Sequence, residues 1–352
     1  MDLKRFDNQV AGHDNILQFS THDLLIIKPC SDQEQLFYEQ AQAHDDFLDW
    51  IPECYGTLRQ ATDKEIQMLN KDEQATSLPR LDNPSPTADL DHHLCLENIV
   101  SGFVQPCIVD IKLGYHIYED TADEKKKAKM IRNAQGTTTE SMGLRISGMK
   151  VFQPQEHGYI VYPKQYGRDR TKDNFIQGLL SFFYPGQLTD HRADDTGLPL
   201  HCRRVPLKNT STSTLPLNKK KIEWIVEHFM DTIEEIMDFL MDHPELHLTA
   251  SSLLLVYEGD ADAAQRIWQR YLDEDKQHDS QPTAATLDQD EEQDNEDEVD
   301  EPLEPKLCDV RLIDFARSRW EHGRRDEQDP SLMKALGNML SMLQQVLSDP
   351  PV

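Results

Sequence analysis

The sequence predicts an α+β fold divided into a small N-terminal lobe and a larger C-terminal lobe. The chain has 352 residues, which is enough for two lobes around a sizeable core. Residues 1–98 contain short apolar runs typical of strands, whereas residues 99–352 add long amphipathic segments of helical period. A polar, proline-containing insert at residues 59–93 is expected to be flexible. The apolar strand that follows it leads into a connector, which is the order expected of a small lobe followed by a hinge.

Local signals mark the elements of the small lobe. Strands are predicted twice within residues 9–28 and once each over residues 51–58 and 94–100. The second strand ends at Lys28, where Pro29 closes it. Ser31 or Asp32 is a suitable N-cap for a helix that contains Glu34.

The larger lobe is predicted to hold most of the helices. Helices are expected over residues 123–133, 172–184, 219–242, 261–272 and 330–347, and strands over residues 143–151 and 158–161. The helix at 219–242 carries apolar side chains from Ile222 to Met237 along one face, which indicates a buried stripe. Two low-complexity stretches are predicted to be disordered loops, at about residues 186–218 and at the acidic residues 273–306.

The net charge of −28 at pH 7 is unevenly distributed along the chain. Residues 273–301 contain 14 acidic residues against one lysine, a net charge of −13, so the rest of the chain carries −15. No broad basic patch is visible, which argues against direct nucleic-acid binding by the fold surface. Because salt screens distant charges, the local field of a site matters more than this total. The composition is therefore compatible with a site for anions.

Composition also predicts the cellular context. No stretch of the sequence is apolar for long enough to span a membrane, and residues 1–10 are too polar for a signal peptide. The six cysteines include no C-x-x-C pair, which predicts reduced thiols rather than disulfides or a zinc site. His92, His93 and Cys95 come nearest to a zinc ligand set, but adjacent histidines in a polar loop are usually solvated.

The motif with the clearest chemistry lies at residues 106–114, PCIVDIKLG. Side chains alternate along a strand, so Asp110 and Lys112 are predicted to point to the same side. A carboxylate can accept or orient a hydroxyl, and a lysine can contact phosphate oxygens, so the pair suits phosphoryl transfer to an alcohol. A D-x-K pair alone is more often a solvated ion pair. The surrounding pattern P-x-x-x-D-x-K-x-G is much narrower.

That pattern resembles the signature of the inositol polyphosphate kinase family. Four further segments agree with the family in the same order: QVAGH at 9–13, YGR at 166–168, SSLLLVYEG at 251–259 and IDFA at 313–316. The resemblance covers most of the chain. It implies a protein-kinase-like bilobal fold with a small antiparallel-sheet N-lobe and a larger α/β C-lobe, joined by a hinge at residues 97–99. Within the family, the compact size and the acidic tract resemble the fungal multikinases most.

The resemblance implies a nucleotide site that binds ATP with Mg²⁺. Its residues are expected to be Lys28, Glu34, Glu97, Ile99, Asp110 and Asp314. Lys28 would reach the phosphates and pair with Glu34, although a strand-end lysine alone usually extends to water. Glu97 and Ile99 would contact adenine through backbone groups. Asp314 would bind Mg²⁺, a hard cation that prefers oxygen ligands, whereas an isolated aspartate in this setting is usually a helix cap or a turn residue.

The same resemblance implies a polyphosphate site beside the catalytic pair Asp110 and Lys112. The substrate-binding residues are expected to be Lys112, Lys126, Lys129 and Lys150. A polyphosphate needs several converging cations, each making charge-assisted hydrogen bonds. Without the resemblance, the basic run at 125–132 would be a solvated helix face or a nuclear-import patch. Lys164 and Arg168 are weaker candidates, since either can serve as a structural brace.

Two features depart from related kinases. The chain has no G-x-G-x-x-G loop, which argues against an ordinary protein kinase, and Gly12 is the only glycine in the corresponding turn. Arg317 follows the IDFA motif where many family members have histidine, so a lipid-substrate role carried by that histidine is in doubt, while an arginine still binds phosphate. The hydroxyls of Ser251 and Ser252 suit support of a metal or nucleotide, but structural hydrogen bonding is their more common role.

The predicted function is that of a multikinase, the ATP-dependent phosphorylation of inositol trisphosphate to tetrakis- and pentakisphosphate. The short stretch between Lys112 and Arg145 argues against the trisphosphate 3-kinase branch. Hexakisphosphate kinase activity is the alternative within the family, and a mainly non-catalytic scaffold in a nuclear transcription complex is the alternative outside it. The expected partners are inositol polyphosphates, with nuclear transcription factors as further candidates. The expected location is the nucleus and the cytoplasm.

Overall fold

The computed structural model describes residues 2–12, 15–59, 92–119, 122–186, 198–207, 213–280, 304–323 and 326–351. Two lobes are present in the described chain, each built on its own antiparallel sheet with helices packed around it. This arrangement agrees with the predicted α+β bilobal fold.

The small lobe contains a sheet of five described strands. They are β1 (Leu3–Arg5), β2 (Leu17–Phe19), β3 (Leu25–Pro29), β4 (Cys54–Arg59) and β5 (His92–Glu97), in the spatial order β1-β2-β3-β5-β4. Helices α1 (Asp32–Ala41) and α2 (Asp45–Leu48) follow β3. Ser31 caps α1, because its side chain accepts a hydrogen bond from the Glu34 amide. The cap fixes Glu34 in the first helical turn, close to the end of β3.

The large lobe contains a sheet of six described strands. They are β6 (Pro106–Leu113), β7 (Leu144–Gln153), β8 (Gly158–Tyr162), β9 (Arg203–Pro206), β11 (Ser252–Glu258) and β12 (Cys308–Ile313), in the order β12-β11-β6-β7-β8-β9. The short strands β10 (Leu246–His247) and β13 (Arg319–Trp320) pair separately. β6 lies in the middle of the large sheet and is almost entirely buried, so Asp110 and Lys112 are polar exceptions in an apolar strand.

Helices cover the large sheet. They are α3 (Glu124–Ala134), α4 (Thr138–Met142), α5 (Lys164–Arg168), α6 (Phe175–Phe183), α7 (Lys219–Asp242), α8 (Ala261–Ser280) and α9 (Pro330–Ser348). The apolar stripe of α7 is buried as predicted and packs against α9. Within the described ranges, no helix combines the length and the apolar character needed to cross a membrane. All six cysteines lie in described residues and are free thiols.

The structure corrects two loop predictions. Helix α8 continues to Ser280, so residues 273–280 are helical where disorder is predicted, because low complexity does not by itself disfavour a helix. Strand β9 lies within the predicted loop at 186–218, because its pairing with β8 supplies backbone hydrogen bonds that the local sequence does not signal. The bounds of the insert predicted at residues 59–93 are also too wide, because Arg59 ends β4 and His92 and His93 begin β5, where they pair across the sheet. Residues 60–91 of the insert and residues 281–303 of the acidic tract lie outside the described residues.

Candidate active site

A cleft of about 490 Å³ lies between the two lobes. Seven residues predicted from the sequence line it: Lys28, Glu34, Glu97, Ile99, Asp110, Lys112 and Asp314. They come from β3, α1, the end of β5 and the connector after it, the central strand β6 and the turn after β12. Segments that are far apart in the sequence therefore converge on one cavity, as the family resemblance implies.

Lys28 is the centre of a partly buried ion network. Its Nζ lies 2.7 Å from Glu34 Oε1 and 2.9 Å from Asp314 Oδ1. Burial lowers the pKa of Lys28, but the carboxylates of Asp314 and Glu34 together raise it well above its ordinary value. Glu34 Oε1 also accepts a hydrogen bond from the Phe315 amide at 3.1 Å. The lysine therefore stays charged and is held in one direction.

Helix α1 is fixed to the turn that carries Asp314. The ring of Phe37 stacks on Phe315, with ring centroids 4.2 Å apart, and both rings are fully buried. The side-chain amide of Gln33 donates a hydrogen bond to the Ser318 carbonyl at 2.9 Å. The small-lobe helix and the large-lobe turn therefore form one packed unit.

Asp314 lies directly after β12 in a left-handed backbone conformation, with φ of 67°. Aspartate tolerates this region better than bulkier residues do. Its Oδ2 lies 3.8 Å from Lys112 Nζ, so the carboxylate faces lysines from both lobes. Burial raises the pKa of Asp314, but the positive charges of Lys28 and Lys112 outweigh burial and hold it at about 2. The carboxylate is therefore ionised at neutral pH.

Asp110 and Lys112 both face the cleft from β6, as strand alternation predicts. In the sheet register Lys112 pairs with Arg145 of β7, and Asp110 pairs with Gly148. Asp110 is 4% exposed, and its Oδ1 has no hydrogen-bond partner among the described residues. Burial raises the pKa of Asp110 to about 6, with Lys112 opposing the rise and Asp314 adding to it. A carboxylate with this pKa can accept a proton near neutral pH.

The connector after β5 is anchored to the small lobe by Asn98. Its side-chain amide donates to the Asp23 carbonyl, and its backbone N–H donates to the Leu24 carbonyl at 2.8 Å. Glu97 and Ile99, on either side of it, line the cleft. The residues predicted to form the hinge therefore border the cavity between the lobes.

A second group of charges lies beside Lys112, on β7 and α5. Arg145 is 5% exposed, and its Nε and Nη1 have no hydrogen-bond partner in the part of the chain that the structure describes. Burial and then the charge of Arg168 lower the pKa of Arg145, whereas Asp110 raises it. The pKa of Lys164 is lowered by burial and by Arg168, Arg145 and Lys112. Four cations thus repel one another next to Asp110.

Sequence reasoning treats Lys164 and Arg168 as weaker candidates and omits Arg145. The missing signal is the strand register. Arg145 lies directly opposite Lys112 only because a bulge between Asp110 and Ile111 shifts the pairing of β6 and β7. Arg145, Lys164 and Arg168 together form what we call the cation cluster.

Three predicted substrate-binding residues lie outside the cleft lining. Lys126 and Lys129 are exposed on α3, and their role in substrate binding stays a prediction. Lys150 contacts the N-terminal segment instead, with its Nζ 2.7 Å from Asn8 Oδ1. Arg317 does line the cleft.

The donor set fits a divalent metal held mainly by nucleotide phosphates. Among the described residues, no group of three or more His, Cys, Asp or Glu side chains is arranged as a metal site. Asp314 provides one ionised carboxylate, and Mg²⁺ typically uses one or two carboxylates together with substrate phosphates. Ser251 and Ser252 are buried, and Ser252 pairs with Ile313, next to that carboxylate.

Fold and site together define a class of protein, the two-lobed kinase-like proteins. Its features here are a lysine–glutamate pair and a buried carboxylate in the cleft between the lobes. A sequence profile of the inositol polyphosphate kinase family matches residues 93–344. The chain therefore belongs to the inositol polyphosphate kinase family. This assignment confirms the predicted enzyme class, a phosphotransferase with an alcohol group as acceptor.

Individual relatives agree with this assignment. The inositol polyphosphate multikinase of Saccharomyces cerevisiae is 29% identical over 303 residues, which cover 77% of this chain and 76% of that protein. The multikinase of Schizosaccharomyces pombe is 30% identical over 52% of this chain and 64% of that protein. Human inositol hexakisphosphate kinase 3 is 25% identical over 76% of this chain and 55% of that protein.

A solved structure confirms the fold. The inositol phosphate multikinase of S. cerevisiae, in complex with ADP and Mn²⁺, superimposes with a TM-score of 0.59 at 24% sequence identity. The match covers 92% of this chain and 99% of that chain. The predicted bilobal, kinase-like architecture is therefore confirmed.

Proposed function

We propose that this protein is an ATP- and Mg²⁺-dependent inositol polyphosphate multikinase that converts inositol trisphosphate to tetrakis- and pentakisphosphate. The cation cluster beside Asp110 carries the proposal. Arg145 is buried with unpaired nitrogen atoms in a chain whose net charge is −28. Lys164 is exposed and Arg168 is half-buried, so the cost of the cluster lies in Arg145, a buried cation that its neighbours repel unless a ligand compensates it. A small polyanion supplies that compensation through charge-assisted hydrogen bonds.

The charges on the cleft side suit a nucleotide. Lys28, held by Glu34, corresponds to the kinase lysine that contacts ATP phosphates. Asp314 would hold the metal, which when bound supplies positive charge across the phosphate oxygens. The S. cerevisiae multikinase solved with ADP and Mn²⁺ supports the use of a nucleotide and a divalent metal.

The chemistry requires an inositol hydroxyl beside Asp110. The hydroxyl oxygen bonds to the γ-phosphorus while the bond from that phosphorus to the β,γ-bridging oxygen breaks, and ADP leaves with the electron pair. Asp110 orients the hydroxyl and accepts its proton, which a pKa of about 6 allows at neutral pH. Lys112, between Asp314 and Arg145, stabilises the charge on the phosphoryl group as it moves.

Two observations favour successive phosphorylation of one ring. Cations from β6, β7 and α5 surround the site, so more than one phosphate can be held in more than one orientation. Multikinases from two yeasts are among the relatives. The human hexakisphosphate kinase relative favours that activity as the second candidate. A purely scaffolding protein would not need Lys28, Asp110, Lys112 and Asp314 assembled in one cleft.

The decisive experiment is a turnover assay with ATP and Mg²⁺ on inositol phosphates from tris- to hexakisphosphate, with products separated by charge. Conversion of trisphosphate through tetrakis- to pentakisphosphate is expected, and Asp110→Asn serves as the inactive control. Turnover of hexakisphosphate alone would move the protein to the second candidate. Tight nucleotide binding with no turnover of any inositol phosphate would overturn the proposal in favour of a scaffold.

A further inference from the structure

A segment near the N-terminus lies across the cleft and touches the large lobe. We call residues 6–12, which follow β1, the strap. Most of its residues line the cleft, together with Lys28 and Asp110. The strap therefore covers the same cavity in which the proposed function places the nucleotide.

The backbone of the strap rests directly on β7. A Cβ added at Gly148 would lie 1.8 Å from the Val10 carbonyl oxygen, closer than any side chain permits. Gly148 is also the register partner of Asp110. The glycine therefore allows the strap to pass within contact distance of the strand that borders the catalytic carboxylate.

Apolar packing holds the strap from below. Phe6 and Val10 pack against a buried cluster that includes Ile99 of the connector and Ile108 of β6. The strap thus contacts the connector and the floor of the large lobe at once. A segment held only by this packing would be free to slide or lift, since apolar contacts are not directional.

Lys150 supplies a directional contact between the strap and the large lobe. Its Nζ lies 2.7 Å from Asn8 Oδ1 and 3.4 Å from the Asp7 carbonyl oxygen, so two of its donor directions are used by the strap. The ammonium also lies 4.3 Å from the centroid of the Tyr159 ring. In this position the ammonium of Lys150 contacts the strap on one side and Tyr159 of the neighbouring strand β8 on the other.

We propose that Lys150 is a positioning residue that fastens the strap over the cleft and thereby slows release of the nucleotide. This inference rests on the proposed function and is an alternative to the predicted substrate role of Lys150, which stays a prediction. The strap follows β1 of the small lobe, lines the cavity and rests on β7, so breaking the contact between Lys150 and Asn8 would loosen one wall of the proposed nucleotide site. Loss of either partner is expected to raise the rate of nucleotide release and leave the cation cluster unchanged.

Paired variants test the contact from both sides. Lys150→Met and Asn8→Ala are each expected to raise the rate of ADP–Mg²⁺ release, measured by stopped-flow displacement, about tenfold, since a hydrogen bond to a charged group is lost. The Kd of ADP–Mg²⁺, measured by calorimetric titration, is expected to rise by about the same factor. The double variant is expected to show the same loss of about tenfold, because both changes remove one contact. Lys150→Arg keeps a donor and is expected to stay within about threefold of the parent.

A lysine elsewhere on the surface gives the matched control. Lys219 lies 3.5 Å from Glu223 on α7, and Lys219→Met is expected to leave nucleotide binding unchanged. In the turnover assay, KM for ATP should rise in Lys150→Met while KM for inositol trisphosphate changes less than about twofold, a split that general loss of stability does not produce.

Three results would overturn the inference. A raised KM for inositol trisphosphate with unchanged nucleotide binding would return Lys150 to the substrate site. Additive losses in the double variant would show that the two residues act independently. Unchanged ADP binding in Asn8→Ala would show that the contact has no function, even if Lys150→Met fails to fold. The titration does not depend on turnover, so failure of the proposed function would appear separately, as absent activity with the contact intact.

Discussion

The cleft side and the β7 side of Asp110 differ in how their charges are compensated. On the cleft side, Lys28 is neutralised by Glu34 and Asp314 at hydrogen-bond distance. On the β7 side, Arg145 has unpaired nitrogens, and the pKa values of Arg145 and Lys164 are lowered by burial and by neighbouring cations. Both networks lie next to Asp110. The charge of Lys28 is compensated by carboxylates of the protein, whereas the charge of Arg145 is not.

This difference indicates how each ligand is recognised. In the neutralised network, ion pairs hold the side chains of Lys28 and Asp314 in fixed positions for a nucleotide and a metal, and Lys28 has no unpaired charge. An uncompensated network stores repulsion that a polyanion relieves, so the free energy of binding includes the relief of that repulsion. At equal free-ligand concentration we therefore expect polyphosphate to stabilise the fold more than nucleotide does, because relief of the repulsion lowers its Kd.

Asp110 lies between the two networks, so removal of its carboxylate is expected to have the largest effect on activity. Asp110→Asn is expected to lower kcat about 1,000-fold, because the group that orients the hydroxyl and accepts its proton is removed. ADP–Mg²⁺ binding, measured by calorimetric titration, should stay within about threefold of the parent, since Lys28 and Asp314 are untouched. A kcat close to that of the parent would show that Asp110 neither orients the hydroxyl nor accepts its proton.

Arg145→Met breaks the uncompensated network alone. The value of kcat/KM for inositol trisphosphate is expected to fall about 30-fold, because a buried charged contact to phosphate is lost, while KM for ATP is unchanged. In the absence of ligand, the midpoint of thermal unfolding should stay level or rise, because one buried, repelling cation has gone. A marked fall in that midpoint would show that Arg145 already has a compensating partner.

The dependence of activity on pH follows from the buried carboxylate. The pKa of Asp110 in the free protein is about 6, above the ordinary value of 3.8, so the folded state holds the proton more tightly than the unfolded chain. Turnover should therefore rise with pH through 6, and kcat/KM at pH 5 is expected to be about a tenth of its value at pH 7. Ionisation of Asp110 costs stability over the same range.

A comparison of unfolding at two pH values checks that sign. Stability that Asp110 contributes is present below about pH 4 and is lost as pH rises through about 6. The stability of Asp110→Asn relative to the parent should therefore increase from pH 4 to pH 7 in denaturant titrations. An opposite trend would mean that Asp110 is ionised and paired in the folded state.

Glu34→Gln tests the neutralised network. Unlike Arg145→Met, it is expected to lower the stability of the fold. The free energy of unfolding should fall by about 3 kcal/mol, because a buried lysine loses one of its two carboxylates. Denaturant titration at pH 7 measures the change. Equal unfolding free energies for Glu34→Gln and Arg145→Met would show that the charges on the cleft side and on the β7 side are compensated to the same degree.

The exposed lysines of α3 should have the smallest effect. The double change Lys126→Gln and Lys129→Gln is expected to raise KM for inositol trisphosphate only about threefold, because solvent screens exposed charges. The same double change should leave KM for ATP unchanged. A rise above about 30-fold, equal to that of a buried contact, would extend the substrate site onto α3 and confirm the sequence prediction for these residues.

The sequence identifies residues in the cleft better than residues around it. Strand alternation predicts that Asp110 and Lys112 point to the same side. The convergence of Lys28, Glu34 and Asp314 on that pair is implied by the family resemblance, because no local pattern shows which distant segments meet.

The surrounding residues depend on pairings between distant segments. Arg145 faces Lys112 because of a bulge in the register, which no local pattern reveals. The family resemblance implies a substrate role for Lys150, and the structure shows that its ammonium contacts Asn8, 142 positions earlier in the chain. The alternation rule gives the direction of a side chain and says nothing about which segment lies there.

The stacked rings of Phe37 and Phe315 have a consequence for control of the enzyme. Protein kinases often regulate themselves by moving the helix that carries the conserved glutamate. Here that helix is tied to the opposite lobe by a buried aromatic stack, and outward movement would expose both rings to water. An off switch based on helix displacement is therefore disfavoured.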